Sequence, residues 1–410
     1  MAIDPNSIAQ NRRSFLRFLA ASPLAATAQR ADPMVWAPFD PNHVIAAPDE
    51  AVSVFDLEAA CRANVPPAHF GYMASGVDDE ATLRANRADF QKFKLRPRRL
   101  NDVSKMDSCI ELFGRTWGSP IYIAPIGGCA AYHPDGELAI ARAAKVGNHL
   151  QMLSTMASAS IKDATHAHGA PIIFQLYPTA SFEVAKLLVK RAEAAGSPAV
   201  AVTVDQSSGR KLETQLRLAR TDERDCTQCH DRTSPQASVA RKGNWAGIEL
   251  EKFGIRGIGA TGLTWEFFKR LRDVTDLKIL AKGISTPEDA ALCVSHGLDG
   301  LVVSNHGGRA EDSGLSTIDA LPGIVAAVQG RIPVLIDSGF RRGADVVKAL
   351  ALGATAVGIG RPIIWGLGAF GEEGVARALQ IIHAEARSIM GQCGARTVKE
   401  LTPAHVQRVT

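Results

Sequence analysis

The chain has 410 residues, 46% of them hydrophobic, enough to bury a large core. Its net charge is only +4 with no long basic run, which argues against a nucleic-acid partner. Seven scattered cysteines exclude a disulfide scaffold, and no apolar stretch reaches the roughly 18 residues that a membrane-spanning helix needs.

Residues 1–30 read as an address rather than as fold. Arg12-Arg13-Ser14-Phe15-Leu16 precedes a short apolar segment, and Ala26-Thr27-Ala28 offers the small residues that a signal peptidase cuts. This resembles a twin-arginine signal and implies a periplasmic enzyme exported already folded. The alternative is a disordered basic tail on a cytoplasmic protein. Residues 31–50, with several Pro and Asp, read as a linker, and 51–410 as the folded domain. Helical spacing covers 54–62, with Asp56 and Glu58 in its first turn. Pro66-Pro67 interrupts it, and a second short helix covers 68–76.

From residue 121 a rhythm begins. Apolar strand candidates fall at 121–126, 150–155, 171–177, 199–205, 278–283, 300–306, 333–339 and 356–362. Helix-like stretches such as 136–146, 182–195, 287–296 and 343–352 separate most of them. Strands alternating with helices pair in parallel through right-handed crossovers, and eight such units make a TIM (β/α)8 barrel. A doubly wound open sheet would want a Gly-x-Gly-x-x-Gly turn after an early strand, and none is present. One long insertion, 206–260 after the fourth strand, breaks the rhythm on the face where such a barrel keeps its chemistry.

The chemistry-bearing stretch is Ser304-Asn305-His306-Gly307-Gly308-Arg309, at the end of the apolar run from Gly300. An imidazole takes a proton near neutral pH, and a guanidinium three residues on holds a carboxylate by a two-pronged hydrogen bond. The glycines between them let backbone approach a flat ligand. Together with Lys282 and Asp337-Ser338-Gly339-Phe340-Arg341-Arg342-Gly343, this run resembles the FMN-dependent α-hydroxy-acid oxidase and dehydrogenase family. The similarity runs from about Val54 to Gly374.

The resemblance implies a role for each matching position. His306 is the base that takes a proton from the substrate, and Asp205 the carboxylate that orients it. Tyr72 and Arg309 bind the substrate carboxylate, and Tyr177 hydrogen-bonds near the reacting centre. Lys282 sits against the N1–O2 edge of the flavin, where a fixed cation favours the negative charge that arrives on reduction. Pro125, Ile126 and Gly127 lie along FMN through backbone groups, while Ser154, Gln175 and Thr203 hydrogen-bond its ring. Ser304 belongs with the flavin contacts; Asp337, Ser338, Gly339, Arg341, Gly360 and Arg361 hold the ribityl phosphate. The substrate is an L-2-hydroxy acid such as lactate, the electron acceptor a quinone, a cytochrome or oxygen, and the assembly a homotetramer.

The chain departs from the family pattern in places. Ser338 replaces a common Gly, Met156 a common Trp and Met73 a common Tyr, which points to a substrate side chain unlike glycolate's. Where the family has two adjacent arginines after the aspartate, this chain has Arg210-Lys211, and the sequence leaves open which of the two faces the substrate. The insertion also carries Cys226-Thr227-Gln228-Cys229-His230, the spacing of a c-type haem attachment site. Three readings stand for it: haem c and an electron-transfer role, a disulfide or free thiols, or a zinc site with a further ligand.

Overall fold

A computed structural model describes residues 44–206, 208–224, 233–254 and 260–409. Eight parallel strands follow one another around a closed ring: β1 (Ile121–Ile123), β2 (Leu150–Ser154), β3 (Ile173–Leu176), β4 (Ala199–Thr203), β5 (Lys278–Ile284), β6 (Gly300–Val303), β7 (Val334–Ile336) and β8 (Ala356–Ile359). β8 pairs back onto β1, with Gly358 opposite Tyr122. This is the TIM barrel that the rhythm predicts, with no open edge.

Strands in such a ring are buried on both faces, which is why they read as unbroken apolar runs. Tyr122, Met152, Ile173, Ala201, Leu280, Val302 and Leu335 fill the bore. Phe174, Val200, Val202, Ile279 and Val303 pack outward against the helices. An antiparallel hairpin, Ile110–Leu112 with Arg115–Trp117, closes the end where the strands begin, and Trp117 is fully buried in it. Three of the surrounding helices start on the same device. The hydroxyls of Ser160, Thr286 and Ser316 accept from the backbone N–H of Asp163, Asp289 and Asp319. Each such cap contributes about 1 kcal/mol.

Before the barrel come α1 (Val54–Asn64), α2 (Pro67–Ala74) and α3 (Ala81–Ala88). α1 opens with a capping box between Ser53 and Asp56 and packs on the last long helix, Arg361–Gln392, which breaks at Phe370–Gly371. The contact is tight: a Cβ on Gly368 would stand 2.6 Å from Cys61 Sγ. In the insertion, Asn244 donates to Ser154 O at 3.1 Å and accepts from Ile161 N at 2.8 Å, while Trp245 Nε1 donates to Thr155 O at 3.0 Å. The insertion is thus stitched to the loop that leaves β2. Cys226, Cys229 and His230, and the export signal with the linker up to residue 43, lie outside the described residues.

Candidate active site

A cavity of about 470 Å³ opens where the strands end. His306 enters it from the turn after β6, in a left-handed backbone conformation (φ 59°) followed by Gly307 and Gly308, also at positive φ. Only glycine fits at 308, because a Cβ there would lie 2.6 Å from the Leu83 backbone of α3. Asp205 follows β4. It gains its place through a ladder irregularity in β5, where Gly283 turns to φ 110° and a Cβ would stand 2.7 Å from that of Asp205.

Asp205 and His306 meet at 3.0 Å, Oδ1 to Nδ1. The carboxylate holds the proton on Nδ1, so the neutral ring presents its Nε2 lone pair to the cavity, where the Tyr177 hydroxyl donates to it at 3.1 Å. Burial pushes the His306 pKa down; Asp205 opposes this, Lys282 and Arg210 reinforce it, and the imidazole ends below its ordinary value. Burial alone would raise Asp205, but His306, Lys282 and Arg210 outweigh it and keep the carboxylate ionised. Burial raises the Tyr177 hydroxyl, which therefore stays a donor.

Next to this pair lie two arginines and a tyrosine. Arg309 stacks over the Tyr72 ring, its Cζ 4.5 Å from the centroid. Its Nη1 donates to the carbonyls of Tyr72 and Ser75, whereas its Nη2 is buried with no partner. A buried donor left unsatisfied is costly, and an incoming carboxylate oxygen satisfies it. Burial would raise the Tyr72 pKa, but Arg309 and Arg210 outweigh it and lower it. Arg210 turns inward, lines the cavity and donates to Arg309 O at 2.7 Å. Lys211 does not join it. Its side chain is 63% exposed and its ammonium pairs with Glu213 at 2.8 Å, so of the two residues that the sequence left open, Arg210 is the one that lines the cavity.

Lys282 is buried, pairs with Asp337 Oδ2 at 2.9 Å and donates to Ser304 Oγ at 2.7 Å. Ser304 and Ser338 both donate to Asp337 Oδ1, and Ser338, itself at φ 81°, also accepts from Gly307 N at 2.9 Å. Pro125, Ile126, Gly127, Ser154, Thr203 and Gly339 line the cavity; Gln175 lies just behind it, its amide donating to Thr203 Oγ1 at 2.8 Å.

Arg341 and Arg361 also line the cavity, Arg361 beside Arg309 at the Ser75 carbonyl. Burial lowers both guanidiniums, Arg341 to about 10. Glu58 acts on both, and burial pushes its own carboxyl up. Arg361 commits one hydrogen bond each to Met73 O, Gly307 O and Ser75 O, which leaves two of its five N–H groups. A Cβ on Gly360 would meet nothing nearer than Ala124 Cβ at 4.0 Å, so glycine leaves open space beside the two cations. Two desolvated cations beside a glycine-lined space suit a phosphate dianion, and Lys282 suits the edge of a ring that accepts negative charge. The residues present fit FMN.

The remaining wall is largely apolar: Met73, Met156, Ile126, Tyr132, Ala260 and Leu263, with Gln206 as a polar member. Tyr132, Gln206, Ala260 and Leu263 were not legible beforehand. The last two belong to the stretch that returns from the insertion, where no periodicity marks them.

The site therefore fits a flavin-dependent oxidoreductase, and comparison with known proteins agrees. Residues 61–408 match the family model described as FMN-dependent dehydrogenase. L-lactate oxidase of Lysinibacillus sphaericus is 39% identical over 84% of this chain and 90% of its own length. Glycolate oxidase of Spinacia oleracea is 38% identical over 87% of this chain and 96% of its own. A soluble mutant of the membrane-associated (S)-mandelate dehydrogenase from Pseudomonas putida superposes with a TM-score of 0.79 at 34% identity, covering 88% and 100% of the two chains. The chain belongs to the FMN-dependent α-hydroxy-acid oxidase and dehydrogenase family.

Proposed function

We propose that the protein oxidises an L-2-hydroxy acid to the 2-oxo acid with His306 as the base. One juxtaposition carries the reading: the His306 imidazole, backed by Asp205, and the Arg309 guanidinium, whose buried Nη2 has no partner, line the same cavity. Arg309 Nη2 and Arg210 grip the substrate carboxylate, and the Tyr72 ring fixes the plane of Arg309. His306 Nε2 takes a proton from the substrate, and Asp205 stabilises the imidazolium that results. Tyr177 holds the substrate oxygen near Nε2. Bound FMN supplies the two-electron acceptor that the side chains lack.

Met73 and Met156 favour a substrate side chain bulkier and more apolar than glycolate's, because unbranched thioethers adapt to shape. The twin-arginine pattern at Arg12-Arg13 favours a periplasmic enzyme that passes electrons to a quinone or cytochrome rather than to oxygen. The experiment is an anaerobic absorption spectrum of the purified holoenzyme before and after L-lactate or L-mandelate. Flavin bands should bleach with one of them, and His306→Ala should abolish the bleaching. Equal bleaching rates in the variant would overturn the assignment of the base. The same spectrum assigns Cys226-x-x-Cys229-His230 to haem c if a sharp Soret band accompanies the flavin.

A further inference from the structure

We propose that Asn86, on α3 and outside the cavity wall, is a positioning residue that holds the His306 turn in its reactive shape. The proposal rests on the reading of His306 as the base. A non-glycine residue keeps a left-handed backbone only where its surroundings enforce it, and His306 stands at φ 59°.

The enforcement runs through Asn305. Gly308 N closes the turn around His306 by donating to both the backbone carbonyl and Oδ1 of Asn305, each at 3.0 Å, and Asn305 Nδ2 donates to Leu315 O at 3.0 Å, tying the turn to the far side of the loop. These two backbone partners determine which end of the Asn305 amide is oxygen and which nitrogen. What is left is one donor and one acceptor on the same edge, deep in the protein. Asn86 completes both: its Nδ2 donates to Asn305 Oδ1 at 2.8 Å, and its Oδ1 accepts from Asn305 Nδ2 at 2.8 Å. Asn86 Oδ1 also accepts from Thr317 N at 3.3 Å. Both amides are almost wholly buried, at 1% and 3% exposure, so a broken pair cannot turn to water instead.

The two residues are 219 positions apart, and neither amide touches the cavity. The Asn86 backbone carbonyl meanwhile fills the place where a Cβ on Gly339 would go, so the same residue also abuts the turn after β7. Arg309, three residues after His306, is held by other groups: its guanidinium hangs on the carbonyls of Tyr72 and Ser75. Loss of the amide pair should therefore displace the base and leave the carboxylate grip in place.

The test compares holoenzymes carrying Asn86→Asp, Asn305→Ala, the combination of Asn86→Ala with Asn305→Ala, and Thr82→Val. Asn86→Asp keeps the size and turns an oxygen against Asn305 Oδ1. Thr82→Val removes the Gly314 N hydrogen bond of 2.8 Å from the same helix without touching Asn305. A base misplaced by about 1 Å costs up to about a hundredfold in rate. Asn86→Asp should accordingly lower kcat about tenfold or more with KM changed less than about threefold. The double variant should be no slower than Asn305→Ala alone. Hydrogen exchange in the peptide spanning 304–309 should quicken in Asn86→Asp and not in Thr82→Val. Unchanged kcat and exchange in Asn86→Asp, or equal losses in Thr82→Val, would overturn the proposal. A wild type inert toward hydroxy acids would instead overturn the reading of the base, and the exchange data would still judge the clamp.

Discussion

Replacing Asp205 by asparagine keeps the shape that Gly283 leaves for it and removes one charge. With Oδ1 3.0 Å from His306 Nδ1, full unit charges at an effective dielectric of about 20 attract by about 5 kcal/mol. With proton transfer about half complete at the transition state, about 2 to 3 kcal/mol of that is lost, or roughly 30- to 160-fold in rate. A carboxamide that turned its NH2 toward Nδ1 would force the ring proton onto Nε2 and deepen the loss through the wrong tautomer. The assay is anaerobic stopped-flow bleaching of the flavin at saturating substrate, repeated across pH. The saturating rate should fall by that factor, with apparent substrate affinity nearly unchanged because Arg309 is untouched. Asp205 is also the group that opposes the downward push of burial on His306. Its loss lowers the imidazole further, so the base stays neutral to lower pH and the acid limb of the profile moves down. A saturating rate within threefold of wild type, or an acid limb that moves up, would refute the argument.

Two further outcomes concern the scaffold. Gly339→Ala places a methyl group at φ 89° and against the Asn86 carbonyl, so stability should fall by about 3 kcal/mol or more, with loss of bound flavin. An unchanged urea midpoint and flavin content would contradict it. His149, buried below the barrel with its Nδ1 2.6 Å from Ser119 Oγ, is pushed down to about 4 by burial, His383 and His168. The unfolded chain takes up that proton near 6.5, so the stabilisation is complete above pH 6.5 and is lost as pH falls through about 4, by about 3 kcal/mol. His168 and His383, also lowered by burial, add to the slope with the same sign. Urea unfolding from pH 7 to 4 should show a flatter slope in His149→Gln, and equal slopes would count against the account.

The barrel was legible because its strands are buried on both faces and so form apolar runs between helical stretches. Their ends were less so. The run expected at 300–306 leaves the ladder at Val303, the one at 333–339 leaves it at Ile336, and the one at 356–362 stops at Ile359 before a helix begins at Arg361. Each stops where the backbone turns toward the cavity, with His306 and Ser338 in left-handed conformations, and hydrophobic periodicity carries no sign of that. The helix expected at 54–62 continues to Asn64, and the one at 68–76 ends at Ala74, shifts of the kind that caps and Pro decide.

The candidate ligand-facing residues were named by the resemblance that the runs Ser304–Arg309 and Asp337–Gly343 carry. Direction could not be read from the chain. Arg210 and Lys211 are neighbours with the same charge, yet one reaches the Arg309 carbonyl and the other pairs with Glu213 in solvent. The difference rests on a loop that passes the cavity once, with no period to say which side faces in. Supports are harder still. Asn86 reads as one more polar residue on a short helix, and Gly283 as one more glycine in a strand. Each matters because the reacting groups stand in geometries that no local preference favours: an imidazole at φ 59° and an aspartate pressed against the next strand. Such geometries must be imposed from elsewhere in the chain, here across 219 residues in one case and 78 in the other (283 less 205). Residues that enforce strain are therefore recognised by what they hold, and only after the fold has brought the two together.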